Sequence, residues 1–130
     1  MNHIILWFLN FDIAPEEITR QLDLAPTAIA IKGQSSIGSK SRPLPNRHTY
    51  WQYEWKAESN DFVGELADKF IDEIIKPRIQ EIKRLTDQYD AEFKIVQYCH
   101  PEYRPGYHFD LEKLAILTQA GLSIDIETYF

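Results

Sequence analysis

Residues 3–11, His-Ile-Ile-Leu-Trp-Phe-Leu-Asn-Phe, are apolar on both faces, as a central strand covered on both sides requires. Pro15-Glu16-Glu17 then opens a short helix: proline suits the first helical position, and two carboxylates complement the positive end of the dipole. Ile18 and Leu22, four apart, give it one apolar face, and Pro26 ends it near Ala25. Thr27 to Ile31 reads as a short strand closed by Lys32-Gly33. Residues 33–49, with Gly33, Gly38, Pro43, Pro45 and no periodicity, read as one long loop.

From Tyr50 to Ala57 the pattern alternates, with Trp51, Tyr53, Trp55 and Ala57 on one face of a strand. Ser59-Asn60-Asp61 offers N-cap chemistry for the longest helix. Its stripe runs Phe62, Val63, Leu66, Ala67, Phe70, Ile71, Ile74 and Ile75. Pro77 must kink or restart that helix, and Ile79, Ile82, Leu85 and Tyr89 continue the stripe. Ala91 to His100 is a further strand, followed by a turn-rich aromatic loop over 100–108. Asp110 caps a helix whose apolar positions are Leu111, Leu114, Ala115 and Leu117, and Gly121 stops it. Leu122, Ile124 and Ile126 alternate with polar residues in a half-exposed last strand.

The order β-α-β-β-α-β-α-β predicts a single α+β domain over residues 1–130. Its first six elements match a ferredoxin-like β-α-β-β-α-β core, with an appended α-β. A mixed or mostly antiparallel sheet with helices packed on it follows. At 130 residues and 44% hydrophobic content, such a domain buries its core without staples, and the single Cys99 excludes an internal disulfide. The opening apolar run is too short to span a bilayer and lacks the basic flank of a signal peptide, so a reduced, cytoplasmic protein is expected.

The positions Pro15-x-x-Ile18-x-x-x-Leu22-x-Leu24-x-Pro26-Thr27, then Lys32-Gly33, resemble the opening signature of domain-of-unknown-function family 4279. The resemblance extends to a Trp before the long helix, here Trp51 or Trp55, and to a closing helix-Gly121-strand ending near Tyr129. It covers most of the chain and implies a small stand-alone bacterial protein, with no catalytic residues to carry over. Asp23 departs from it, standing where the family favours Gly.

Charge is distributed unevenly. The net charge is −6, yet no Asp or Glu occurs from Leu24 to Tyr53, where Lys32, Lys40, Arg42 and Arg47 give +4; the remainder therefore carries −6 − 4 = −10. A basic loop beside Tyr50, Trp51 and Tyr53 fits a partner with an acidic surface, although a merely solvated loop has the same composition. The acidic total opposes nucleic-acid binding. His48, His100 and His108, with Cys99 in reserve, match no zinc spacing, and Cys99 lacks a well-placed base for nucleophilic catalysis. No phosphate loop or nucleophile elbow is present. The expectation is a non-enzymatic protein-interaction module, immunity-like in format, without metal, cofactor, nucleic acid or membrane. The alternative is a small anionic-ligand binder or enzyme using a cleft between segments 32–51 and 98–108. The candidate binding residues are Lys32, Arg42, Arg47, His48, Trp51, His100, Arg104 and His108.

Overall fold

The computed structural model describes residues 2–37, 43–45, 48–58, 63–100, 102 and 106–130. Strand β1 (Asn2–Leu9) is the centre of a five-stranded sheet. It pairs antiparallel with β5 (Tyr50–Ala57) on one side and β6 (Asp90–Tyr98) on the other. The short β2 (Ala28–Ala30) lies antiparallel beyond β5, and β7 (Ser123–Tyr129) lies parallel beyond β6. The sheet is therefore mixed, in the order β2-β5-β1-β6-β7.

Expected as one structureless loop, residues 33–49 instead contain a hairpin. Its strands β3 (Ser35–Ile37) and β4 (Pro43–Pro45) pair antiparallel, apart from the main sheet. Proline is tolerated there because each strand of a two-stranded ladder has an edge that needs no donor.

Among the described residues, three helical rods accompany the sheet. Helix α1 (Pro15–Leu22) begins on its proline and stops at Asp23, whose φ of 50° lies in the left-handed region. A glycine preference at that position has this backbone as its physical cause. The second rod starts as α2 (Val63–Phe70), widens into a π turn at Ile71–Ile75, tightens to a 3-10 turn at Lys76–Arg78 and resumes as α3 (Ile79–Thr86). Pro77 lies inside the tight turn, where its missing N–H and its ring break the regular ladder. The Ile74 carbonyl beside this irregularity accepts from Arg78 Nη1 (3.1 Å). Arg78 Nε also donates to the Leu22 carbonyl (2.7 Å), so its cation closes the negative end of α1. The third rod, α4 (Leu111–Ala120), begins at Asp110, whose side chain accepts from the Lys113 N–H (3.0 Å).

One core joins rods and sheet. Ile4, Leu6 and Phe8 of β1, Trp51 of β5 and Phe93 and Ile95 of β6 meet Ile18 and Leu22, Phe70, Ile71 and Ile75, and Ile116 and Leu117. The other sheet face bears Ile5, which is buried but outside that cluster, and mostly half-buried polar side chains.

The apolar positions of α4 do not all face the core. Leu111 is 84% exposed and Leu114 37%, whereas Lys113, Ile116, Leu117 and Ala120 are buried. Lys113 turns inward because its ammonium reaches Asp72 at 2.7 and 2.8 Å, and its stem packs as a hydrophobe would.

Candidate functional site

The two segments expected to form a cleft lie at opposite ends of the sheet. Leu9 faces both Tyr50 and Asp90, while His3 faces both Lys56 and Val96. Lys32 and His48, both exposed, belong to the Leu9 end, where the Lys32 N–H bonds Thr49 Oγ1 (2.9 Å). His100 follows β6 at the His3 end, with its Nδ1 accepting from the Glu102 N–H (3.2 Å). The strand between the ends is about 23 Å long at ~3.3 Å per residue. No cleft joins 32–51 to 98–108 among the described residues.

Trp51 is also corrected as a binding residue. It is fully buried, edge-on to Phe8, with its indole N–H donated to Thr19 Oγ1 (3.1 Å). The alternation that predicted its facing is right, and that face is the one the helices cover. Arg42, Arg47 and Arg104 lie outside the described residues, as does the Ser59-Asn60-Asp61 cap. His48 and His100 are separated by the sheet, and among the described residues no group of three metal-ligating side chains converges. Cys99 lies just past β6, half-buried, with its N–H donated to the Tyr129 carbonyl (2.6 Å).

Three arrangements of side chains stand out instead. On the sheet face away from the helices, Lys94 Nζ sits 4.7 Å from the centroid of the Trp7 ring, a cation–π geometry. It also lies 3.0 Å from Glu127 and 3.6 Å from Asp125 on β7. Burial opposes the charge of Lys94, but Glu127, Asp125 and Glu92 outweigh it and hold the ammonium above its usual range. Glu92 is pushed above the usual carboxylate range, first by burial and then by Asp125, Glu127 and Asp90, with Lys94 opposing. One cation thus serves an excess of carboxylates.

On the helical side, Asp68 approaches Lys113, Asp72, Asp110 and His108. One of its carboxylate oxygens is buried without a hydrogen-bond partner among the described residues. Burial, chiefly, raises its carboxyl above the usual range; Asp110 and Asp72 add to this, while Lys113 and His108 oppose it. This is where His108 belongs, remote from His48 and Lys32. The sequence signal for the cluster was the like-charged pair Asp68 and Asp72, one helical turn apart.

The third arrangement is apolar. Among the described residues, eight large hydrophobic side chains are exposed. Ile29 is one. The other seven are Leu111 and Leu114 on α4, Ile124, Ile126 and Tyr129 on β7, Phe130, and Tyr98 at the end of β6. Tyr98 and Tyr129 stack at 5.1 Å between centroids. Five of the seven lie on β7, just past it, or on its neighbour β6; by alternation Ile124 and Ile126 take the helical face and Tyr98 and Tyr129 the open face. The list of apolar positions on α4 does not by itself tell the exposed Leu111 and Leu114 from the buried Leu117.

Residues 2–130 match the family described as "Domain of unknown function (DUF4279)", and the chain belongs to it. No curated protein and no solved structure matches the chain.

Proposed function

We propose that this member of the DUF4279 family is a non-enzymatic protein-interaction module that docks through the β7 edge and the adjoining flank of α4. One observation carries the reading: all but one of the exposed large hydrophobics among the described residues lie on α4, β7 and their immediate neighbours. Single exposed hydrophobics are ordinary, but a concentration on two consecutive elements supports a surface that another molecule covers.

An immunity-type neutraliser in the bacterial cytoplasm is the format that suits a small acidic module of this kind. The accompanying fold reading is a ferredoxin-like core. It is supported by the antiparallel neighbours β2-β5-β1-β6, to which α4 and β7 are appended. A second contact, with a partner's acidic surface, would use Lys32 and His48, which are exposed at one end of the sheet, together with Lys40, Arg42 and Arg47.

Photo-crosslinking in the producing cell tests the docking surface. A photoreactive residue at position 114 or 126 should yield a discrete covalent adduct, and one at position 81 on α3 should not. Absence of adducts at 114 and 126, or the same adducts at 81, would refute it.

A further inference from the structure

We infer that β7 takes up an extended segment of a partner protein as a sixth strand, and that this segment carries Lys or Arg at alternate positions with apolar residues between them. The inference rests on the reading of the α4–β7 side as a docking surface and specifies the chemistry of what docks there.

The backbone supplies the first reason. As the last strand in the order β2-β5-β1-β6-β7, β7 has one edge unpaired among the described residues. The Tyr129 carbonyl accepts from the Cys99 N–H, so the polar groups of Tyr129 point toward β6. Backbone groups alternate along a strand, which turns the N–H and C=O of Ile124, Ile126 and Thr128 outward. Three residues thus offer a ready ladder to an added strand.

The side chains supply the second. The register places Ile124 and Ile126 beside Phe93 and Ile95, on the helical face, and Asp125 beside Lys94 and Glu127 beside Val96, on the open face. An incoming strand therefore meets exposed isoleucines on one face and carboxylates on the other. Next to β7 on that open face, the four groups Glu92, Asp125, Glu127 and Lys94 leave a local charge of −3 + 1 = −2. Lys94 shows how a cation is received there, held by two carboxylates and the Trp7 ring. Basic residues alternating with apolar ones fill both faces at once.

The same geometry argues against a second copy as the occupant. Two β7 edges related by a two-fold axis pair antiparallel, and opposed residues share a face. Centred on Ile126, the pairing sets Asp125 against Glu127; centred on Asp125 or on Glu127, it sets that residue against itself; centred on Ile124 or Thr128, it avoids this but overlaps only three residues of each strand. Like charges directly opposed are destabilising.

The test uses the full chain and two synthetic nine-residue peptides, one alternating Lys with Ile and Val, the other with Glu replacing every Lys. Residue-resolved amide exchange and titration are measured. The Lys peptide should slow exchange at Ile124, Ile126 and Thr128, while Asp125 and Glu127 stay unchanged. The Glu peptide should bind at least about tenfold more weakly. Ile126→Pro removes an outward N–H and an exposed side chain while leaving the ladder to β6 intact, so it should fold and lose peptide binding. If that variant fails to fold, the Lys and Glu peptides on the unaltered chain still decide. Equal binding of both peptides, protection elsewhere, or slowed exchange at those three amides from self-association alone would overturn the inference. Crosslinks at 114 or 126 without Lys-peptide binding would sink the strand chemistry and leave the docking surface standing; failure of both would remove the surface as well.

Discussion

Thr86 donates its hydroxyl to the Ala120 carbonyl (2.8 Å) in the space that a Cβ on Gly121 would enter. Gly121 has φ 76°, and a side chain there would collide with the Thr86 hydroxyl and crowd its Cβ. The end of α4 and the end of α3 are thereby locked together by the absence of one carbon. Gly121→Ala should cost about 1–2 kcal/mol for the left-handed backbone alone, with more from the collision. Chemical denaturation reads the loss; an unchanged midpoint would mean that the helix ends separate freely.

Trp51 is expected to behave as a core residue. Trp51→Ala should lower stability by about 3–5 kcal/mol. Thr19→Val, which strands the buried indole N–H, should cost about 1–3 kcal/mol. A Trp51 variant with normal stability and a selective loss of partner binding would contradict its placement.

Asp68 makes stability fall as pH rises. Its folded-state pKa is raised above the ordinary value of 3.8, so the folded chain holds the proton more tightly than the unfolded chain does. That contribution is complete below 3.8 and is lost as pH climbs through the raised pKa. Asp68→Asn should therefore be more stable than the parent at about pH 7, and the gain should close toward about pH 3. Denaturant midpoints across this range are the measurement, and a pH-independent difference would contradict the assignment.

Neighbouring leucines on α4 should differ sharply. Leu111→Lys, at an exposed position, should move stability by no more than about 0.5 kcal/mol. Leu117→Ala, in the core, should cost about 2–5 kcal/mol. Parallel thermal or denaturant melts of the two variants decide whether the α4 facing is right.

The strands and rods that bury the most apolar surface were legible from periodicity. Trp51 alternates correctly, Ile18 and Leu22 face inward together, and Pro77 marks a real break. The facing of α4 was not, because Lys113 reads as polar and is buried by a partner 41 positions away in sequence. Leu111 and Leu114 are apolar in sequence and yet face outward. The expected cleft failed on register: segments 32–51 and 98–108 are each rich in candidate residues, but which end of the sheet a segment reaches depends on strand order, a long-range property. The hairpin inside 33–49 carries no apolar alternation to announce it.

The central position of β1 has a consequence in time. It precedes both of its neighbours, which begin only at Tyr50 and Asp90. While the chain is being made, the run Ile4-Ile5-Leu6-Trp7-Phe8-Leu9 waits with both edges unpaired until Ala57 has been added, and with one edge unpaired until Tyr98 has. Such distant pairing slows folding and leaves a sticky segment open to other chains. Nascent chains should therefore aggregate most readily when synthesis pauses before β6, and a chaperone that shields the first ten or so residues should relieve it.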